Sequence, residues 1–291
     1  MHPFGKLSAA RRRLGEALRA ARASAGLSGE QLAKRLGVSQ SRVSRIELGQ
    51  QAAPAALVRR WAEATGAPEQ RRAELIGWAE AAATEAVAWR AAMSRGLVRF
   101  QQDVRDLEAR AASISEFQPV LVPGLLQVPE YAKRIFAARN PALSSREIAA
   151  AVAARMDRQL LLYEGATQFE FILAEAVLRW WVGPPNVMLA QLDRISVLGE
   201  LENVWLGIIP LDTRVDCWHE HAFELQDHRG EGEAVVTIET QTSQVITTDP
   251  GEVAFYREAF MRLRESALHG PEAETLLRQV RGALLGTGPP S

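Results

Sequence analysis

Cysteine is all but missing from this chain. The single one among 291 residues, Cys217, cannot close an internal disulfide or build a thiolate cage around a metal, so nothing requires an oxidising compartment. Long apolar runs are missing too. None reaches the ~18 to 20 residues that span a bilayer, and the basic N-terminus lacks the apolar core of a signal peptide. No sign of charge dominates, with 34 Lys and Arg against 35 Asp and Glu, and 47% of residues are apolar. That balance excludes a disordered polyelectrolyte, and the length suits roughly two domains. Gly-rich phosphate loops, nucleophile elbows and kinase signatures are absent as well. The expectation is a soluble cytoplasmic protein that takes no membrane partner, needs no cofactor, has no catalytic residue and is not an enzyme.

The near-zero net charge hides an asymmetry. Residues 1–60 hold 12 Lys and Arg against three Glu, a surplus of 9, while the whole chain is at -1, so the remaining 231 residues carry -10. A basic block joined to an acidic body points to two parts with different partners, a polyanion being the natural one for the first.

Within that block, Leu14, Leu18, Ala21 and Ala25 recur at three- and four-residue spacing, which predicts a helix from about Ser8 to Ala25, ended by Gly26. Ser28 followed three residues later by Gln31 is a capping pattern for a short helix from Gly29 to Leu36. Gly37-Val38 gives a tight turn, and Ser39 caps a third helix that stops at Gly49. Two short helices across a glycine turn are the signature of a helix-turn-helix. On the third helix Val43 and Ile46 face inward, and Ser41, Ser44 and Arg45 point roughly the other way. Arg reads guanine, Gln reads adenine and Ser reads either in the major groove, so Gln40, Ser41, Arg42 and Arg45 supply the chemistry of a reading helix. The amides at the starts of the second and third helices, with Gln31 beside the first, suit phosphates. The candidate DNA-binding set is Gln31, Ser39, Gln40, Ser41, Arg42, Ser44 and Arg45. Lys6 and Arg11-Arg12-Arg13 are either a phosphate-binding arm or a solvated basic run.

Gln31-Leu32-Ala33, Leu36 to Ser41 and Val43 to Glu47 resemble the Cro/repressor (xenobiotic-response-element, XRE) family of five-helix DNA-binding domains, over about residues 8 to 75. The resemblance implies that Gln31 clamps a phosphate, that Gln40 contacts DNA at the helix start, and that Ser41 and Arg45 reach base edges. Arg42 has no single role in that family, and Glu47 is expected to be structural or to orient a neighbouring arginine rather than to face DNA.

Pro54 and Pro68 start two further helices, carrying Leu57, Val58 and Trp61, then Leu75, Trp78 and Ala82. Residues 79–115 read as a helical connector whose apolar face holds Leu97, Phe100, Val104, Leu107, Ala111 and Ile114. The body, 116–291, mixes helices (about 129 onward, 145–163, 187–199, 250–268, 271–285) with extended runs (168–175, 204–209, 222–226, 234–240, 243–247). The fold class is therefore a mainly α five-helix head, 1–78, plus an α+β C-terminal domain with mainly antiparallel late strands.

Val122-Pro123-Gly124-Leu125-Leu126-Gln127-Val128-Pro129-Glu130-Tyr131-Ala132, with Leu107 to Ala111, Arg155, Arg158-Gln159 and Leu178 to Gly183, resembles the antitoxin-like C-terminal domain of actinobacterial WhiJ-type regulators. That resemblance implies transcriptional control through a small co-encoded partner protein, the chain acting as repressor or antitoxin.

Two clusters remain. Asp216-Cys217-Trp218-His219-Glu220-His221, with His228 beyond, concentrates metal-ligand types, and His219 and His221 would share one face of a strand. Zinc needs three or four ligands and no second spaced cluster closes the shell, so the expectation is no metal and a polar loop leading into a strand. Trp180, Trp181, Trp205 and Trp218 either pack the body's core or line a partner or effector pocket. The reading as a whole is a homodimeric repressor on a pseudo-palindromic double-stranded DNA operator, its body dimerising and sensing a small partner protein or effector. The alternatives are an antitoxin that represses its own operon, and an enzyme fused to a DNA-binding head.

Overall fold

The computed structural model describes residues 7–49, 51–88, 96–214, 220–230, 232–240 and 243–286. Lys6, Cys217, Trp218 and His219, singled out above, lie outside them. The head is five helices: α1 (Leu7–Ser24), α2 (Gly29–Leu36), α3 (Gln40–Glu47), α4 (Ala55–Ala64) and α5 (Glu69–Ala83). Local chemistry sets their ends. Ser28 and Gln31 form a reciprocal capping box, Gln31 N–H donating to Ser28 Oγ at 3.1 Å and Ser28 N–H to Gln31 Oε1 at 2.8 Å. Gly37 takes a φ of 65° at the end of α2, where a side chain would be strained. Ser39 Oγ then accepts Arg42 N–H at 3.2 Å and starts α3. Leu14, Leu18, Leu32, Leu36, Val43, Ile46, Val58, Trp61 and Leu75 make one buried core. Gly15 lets α1 and α3 touch, since a Cβ there would stand 2.5 Å from the Ile46 carbonyl oxygen. Arg11 to Arg13 belong to α1 rather than to a loose arm, and Arg13 lies 4.4 Å from the centroid of Trp78.

The connector differs from the sequence expectation of a helix throughout. α5 ends at Ala83 and runs into a strand, β1 (Thr84–Ala88), which pairs with the body's sheet. α6 (Leu97–Glu108) follows, and Ala111 and Ile114, expected on the connector's apolar face, belong to β2 (Ala111–Gln118). Alanine favours helix locally, but the Thr84–Ala88 strand gains a full ladder of edge hydrogen bonds, so tertiary pairing overrides propensity.

After β2 come α7 (Pro129–Arg139), α8 (Ser145–Arg158), β3 (Gln168–Ala174), α9 (Glu175–Arg179), α10 (Pro185–Leu198) and β4 (Val204–Ile209). β5 (Phe223–His228), β6 (Val235–Glu239), β7 (Ser243–Thr247), α11 (Pro250–Glu265), β8 (Leu268–His269) and α12 (Pro271–Gly286) complete the described elements. Among the described residues, eight strands form one sheet in the order β1-β7-β6-β5-β2-β3-β4-β8. β2, β3 and β4 are parallel, and the other pairings are antiparallel. One face packs Ile114, Phe169, Phe171 and Leu206 against α10, α12 and the turns around Leu125 and Leu161. The other carries Phe117, Ile172 and Phe223 against Phe260 and Leu263 of α11. The late strands β5 to β7 and the helices α7, α8, α10, α11 and α12 fall close to their expected places, whereas α9 and β8 were not expected. The parallel centre was not expected from the sequence. Among the described residues, no helix is long and apolar enough to cross a membrane.

Candidate nucleic-acid interface

α3 is held by one face and offers the other. Val43 and Ile46 are buried in the head's core, whereas Gln40, Ser41 and Arg45 are exposed, and Gln31 is exposed beside them on α2. The cap geometry orients these groups. Gln31 commits Oε1 to the Ser28 amide while the residue stays exposed. A Cβ on Gly29 would stand 3.6 Å from Gln40 Nε2, so that amide lies beside the first residue of α2. Ser39 Oγ and Ser41 Oγ are 3.0 Å apart. The structure thus brings Gln31, Ser39, Gln40, Ser41 and Arg45 to one edge, where two helix N-termini converge and amides favour anions. Ser44 is half-buried.

Arg42 departs from this set. It is half-buried, and its Nη2 lies 3.8 Å from Glu233 Oε1, on the loop between β5 and β6 of the body. Burial pushes the Glu233 carboxyl up to about 7 against the pull of Arg11 and Arg42. A carboxylate there competes with DNA phosphate for Arg42. Glu233→Gln is therefore expected to raise affinity for DNA of any sequence by up to about fivefold, the range of a partly exposed ion pair; fluorescence anisotropy on scrambled and upstream duplexes reads it.

Several residues that matter here carry no local sequence signal. Arg60 donates to the Leu36 carbonyl at the end of α2, and Arg35 Nη1 reaches the Ala64 carbonyl at 2.9 Å. The first closes the turn from across the head, and the second ties α2 to the end of α4. Glu47 takes the orienting role expected of it: it is buried and accepts Arg22 Nε at 2.5 Å and Nη2 at 2.8 Å, while Arg22 Nη1 holds the Leu27 carbonyl at 2.8 Å.

In the body, Trp180, Trp181 and Trp205 do not converge. Trp180 is 61% exposed. Trp181 packs against the core on one face of the sheet and Trp205 against the core on the other. His221 Nε2 lies 3.0 Å from the Tyr256 hydroxyl. The Pro-Gly-Leu-Leu-Gln block is a buried 3-10 turn. Gln127 Nε2 donates to the Val122 carbonyl at 2.8 Å, the Val122 amide to the Tyr131 hydroxyl at 3.2 Å, and Gln191 Nε2 to the Leu126 carbonyl at 2.7 Å.

Behind that turn lies a buried polar layer between α6, α8 and the sheet. Glu108 Oε2 sits 2.8 Å from Arg158 Nε. Arg158 Nη1 and Arg155 Nε both donate to Gln101 Oε1 at 3.2 Å, and Arg155 Nη1 to Gln127 Oε1 at 2.6 Å. Burial and the neighbouring Arg158 bring Arg155 down to about 9. Glu116 accepts from Gln118 Nε2 at 2.8 Å and faces Glu224; burial first, then Glu224, pushes its carboxyl from 4.5 up to about 8. An acid raised on folding binds its proton more tightly in the folded state, so its contribution is full below about 4.5 and is lost as pH rises through about 8. Thermal midpoints are expected to fall over that window, and Glu116→Gln should flatten the slope in a denaturation series against pH.

Residues 13–75 match the family described as a helix-turn-helix domain, and residues 101–279 match the family described as a domain of unknown function (DUF5753). Comparison with curated proteins gives no match. Among solved structures, that of TrmBL2, described as an archaeal chromatin protein with a novel mode of DNA binding, is similar over 87% of this chain and 92% of that one. The identity is 14% and the TM-score 0.31, too low to carry an argument. The helix-turn-helix match and the exposed edge of α2 and α3 agree on a regulator of transcription whose partner is DNA. Since the second match covers more than half of the chain, the protein belongs to the DUF5753 family, with a helix-turn-helix head in front of the shared domain.

Proposed function

We propose that this protein is a sequence-specific, XRE-type repressor that acts as a homodimer, catalyses no reaction, and passes a signal from its body to its head. The observation that carries the reading is the exposed group Gln31, Gln40, Ser41 and Arg45, backed by buried Val43 and Ile46. In this reading α3 lies in the major groove, Arg45 and Gln40 contact base edges, and the amides at the starts of α2 and α3, with Gln31, hold phosphates. Two heads about one turn of DNA apart, ~34 Å, read the two halves of a pseudo-palindrome. The body joins the two copies and takes a small molecule or a small co-encoded protein. A ligand that prefers a different head spacing lowers DNA affinity, and DNA lowers affinity for that ligand by the same factor.

The test is the mass of the complex with a duplex from upstream of the gene, read by light scattering beside a footprint. Two chains per duplex on two half-sites are expected. One chain on one half-site at saturation contradicts the dimer.

A further inference from the structure

α11 does not lie flush on the sheet. A cleft of about 530 Å3 opens between them, lined by Ser113, Ser115, Glu170, Trp205, Asp227 and Arg257 among others. The cause is the composition of β2. Phe117 fills the space under α11 further along the strand, its ring 5.9 Å from that of Phe223. Ser113 and Ser115 stand on the same face and are too small to do so. Strand pairing sets their neighbours: Ser113 lies between Asp227 and Gln168, and Ser115 between Leu225 and Glu170, with Trp205 next to Glu170. The volume falls within the range of about 300–1,000 Å3 common to small-molecule sites.

The lining selects the chemistry of an occupant. On its floor Arg257 is paired with Asp227, and Glu170 Oε1 is met at 3.2 Å by Arg264 Nε from beside the cleft, while Glu202 is an exposed carboxylate in the lining. An ion held on the floor would have to displace a partner already in place, and an anion would in addition meet Glu202. The hydroxyls are held loosely, Ser113 Oγ donating to Asp227 Oδ2 at 3.4 Å and Ser115 Oγ to Glu170 Oε2 at 3.5 Å, near the outer limit of hydrogen bonding. Carboxylate acceptors, guanidinium donors and hydroxyls that do both therefore alternate along the floor. Trp205 and the exposed Met261 add apolar surface at the side. A polyol ring with hydroxyls around its rim and C–H groups on its faces meets both kinds of surface at once. We propose that this cleft binds a neutral polyhydroxylated ligand, a mono- or disaccharide, and that this ligand is the effector.

The second half of the proposal rests on the regulator reading and has a physical route. α11 is the roof of the cleft, and its first turn lies against the head: Thr248, Asp249 and Pro250 share a crevice with Arg11, Ile46 and Pro54. Asp249 Oδ1 caps that end, accepting the Gly251 and Glu252 amides at 2.9 and 3.0 Å. A ligand that changes the seating of α11 on the sheet moves the surface on which the head rests.

The experiment uses the full chain and ligand-observed saturation-transfer NMR, with glucose, N-acetylglucosamine, maltose and trehalose at millimolar concentration and with spermidine and citrate as charged comparators. At least one neutral sugar is expected to bind and the charged probes are not. Ser115→Leu fills the cleft and is expected to weaken the sugar about tenfold or more; the near-isosteric Glu170→Gln, which keeps the cleft open, is expected to weaken it several-fold and serves if the leucine variant does not fold. No sugar binding, binding of only the charged probes, or sugar binding unchanged in either folded variant overturns the site. Anisotropy of a labelled upstream duplex, with and without the bound sugar, reads the effector role, and an unchanged DNA affinity overturns that role. Failure to bind DNA without any sugar counts against the regulator reading and leaves the NMR result standing.

Discussion

Arg45→Ala is expected to weaken binding to the specific operator by about 1 to 3 kcal/mol, up to roughly a hundredfold, and to weaken binding to scrambled DNA much less. Arg45 is exposed on the side of α3 opposite Val43 and Ile46, so the change leaves the head's core untouched. A guanidinium that reads guanine through two hydrogen bonds discriminates between bases, while one that touches phosphate does not. Competition of labelled operator against both duplexes separates the two, and an equal loss on both sequences makes Arg45 a backbone contact. The same logic predicts a smaller effect at Arg42, which faces Glu233 rather than the exposed edge.

The largest loss of stability is expected from Arg158→Met. Arg158 is buried and ties Glu108 to Gln101, and against desolvation Glu108 first, then Glu224, holds its guanidinium protonated. Methionine has similar bulk but leaves those carboxyl groups without a cation in a dry layer. Breaking a buried pair from one side costs about 3 to 5 kcal/mol. Urea denaturation followed by tryptophan fluorescence reads this as a lower midpoint of the body's transition. Removing both partners together, Arg158→Met with Glu108→Leu, is expected to recover most of the loss, because an apolar pair leaves no charge stranded. A single-variant loss below about 1 kcal/mol, the scale of an exposed pair, contradicts this account of the layer.

The head was legible because its signals are local. Ser28 with Gln31, Gly37 and Ser39 are consecutive instructions for stopping one helix and starting the next, and α1 to α5 follow them within a few residues. Two strands were legible as extended runs, Val204–Ile209 and Ser243–Thr247 matching their expected limits. β2 was not. A strand at the centre of a sheet usually reads as a continuous apolar run, but this one carries serines toward α11 and Glu116 toward the buried polar layer. Its pattern is broken at the positions that form the cleft and that layer. Arg42 and Trp205 were visible as residue types, but their surroundings come from parts of the chain far away in sequence: Glu233 for the first, Arg264 and Glu170 for the second. Long-range charge pairing has no periodicity to read, and nothing local says that the fold sets Trp181 and Trp205 on opposite faces of the sheet.

The measurement that bears most directly on the account is the affinity of the intact protein for the duplex upstream of its own gene, compared with a scrambled duplex across a salt series. The account predicts that the upstream duplex binds tighter by about a thousandfold or more, with affinity for both falling as salt rises as the head's cations release counterions. Equal affinity for the two duplexes at every salt concentration would contradict it.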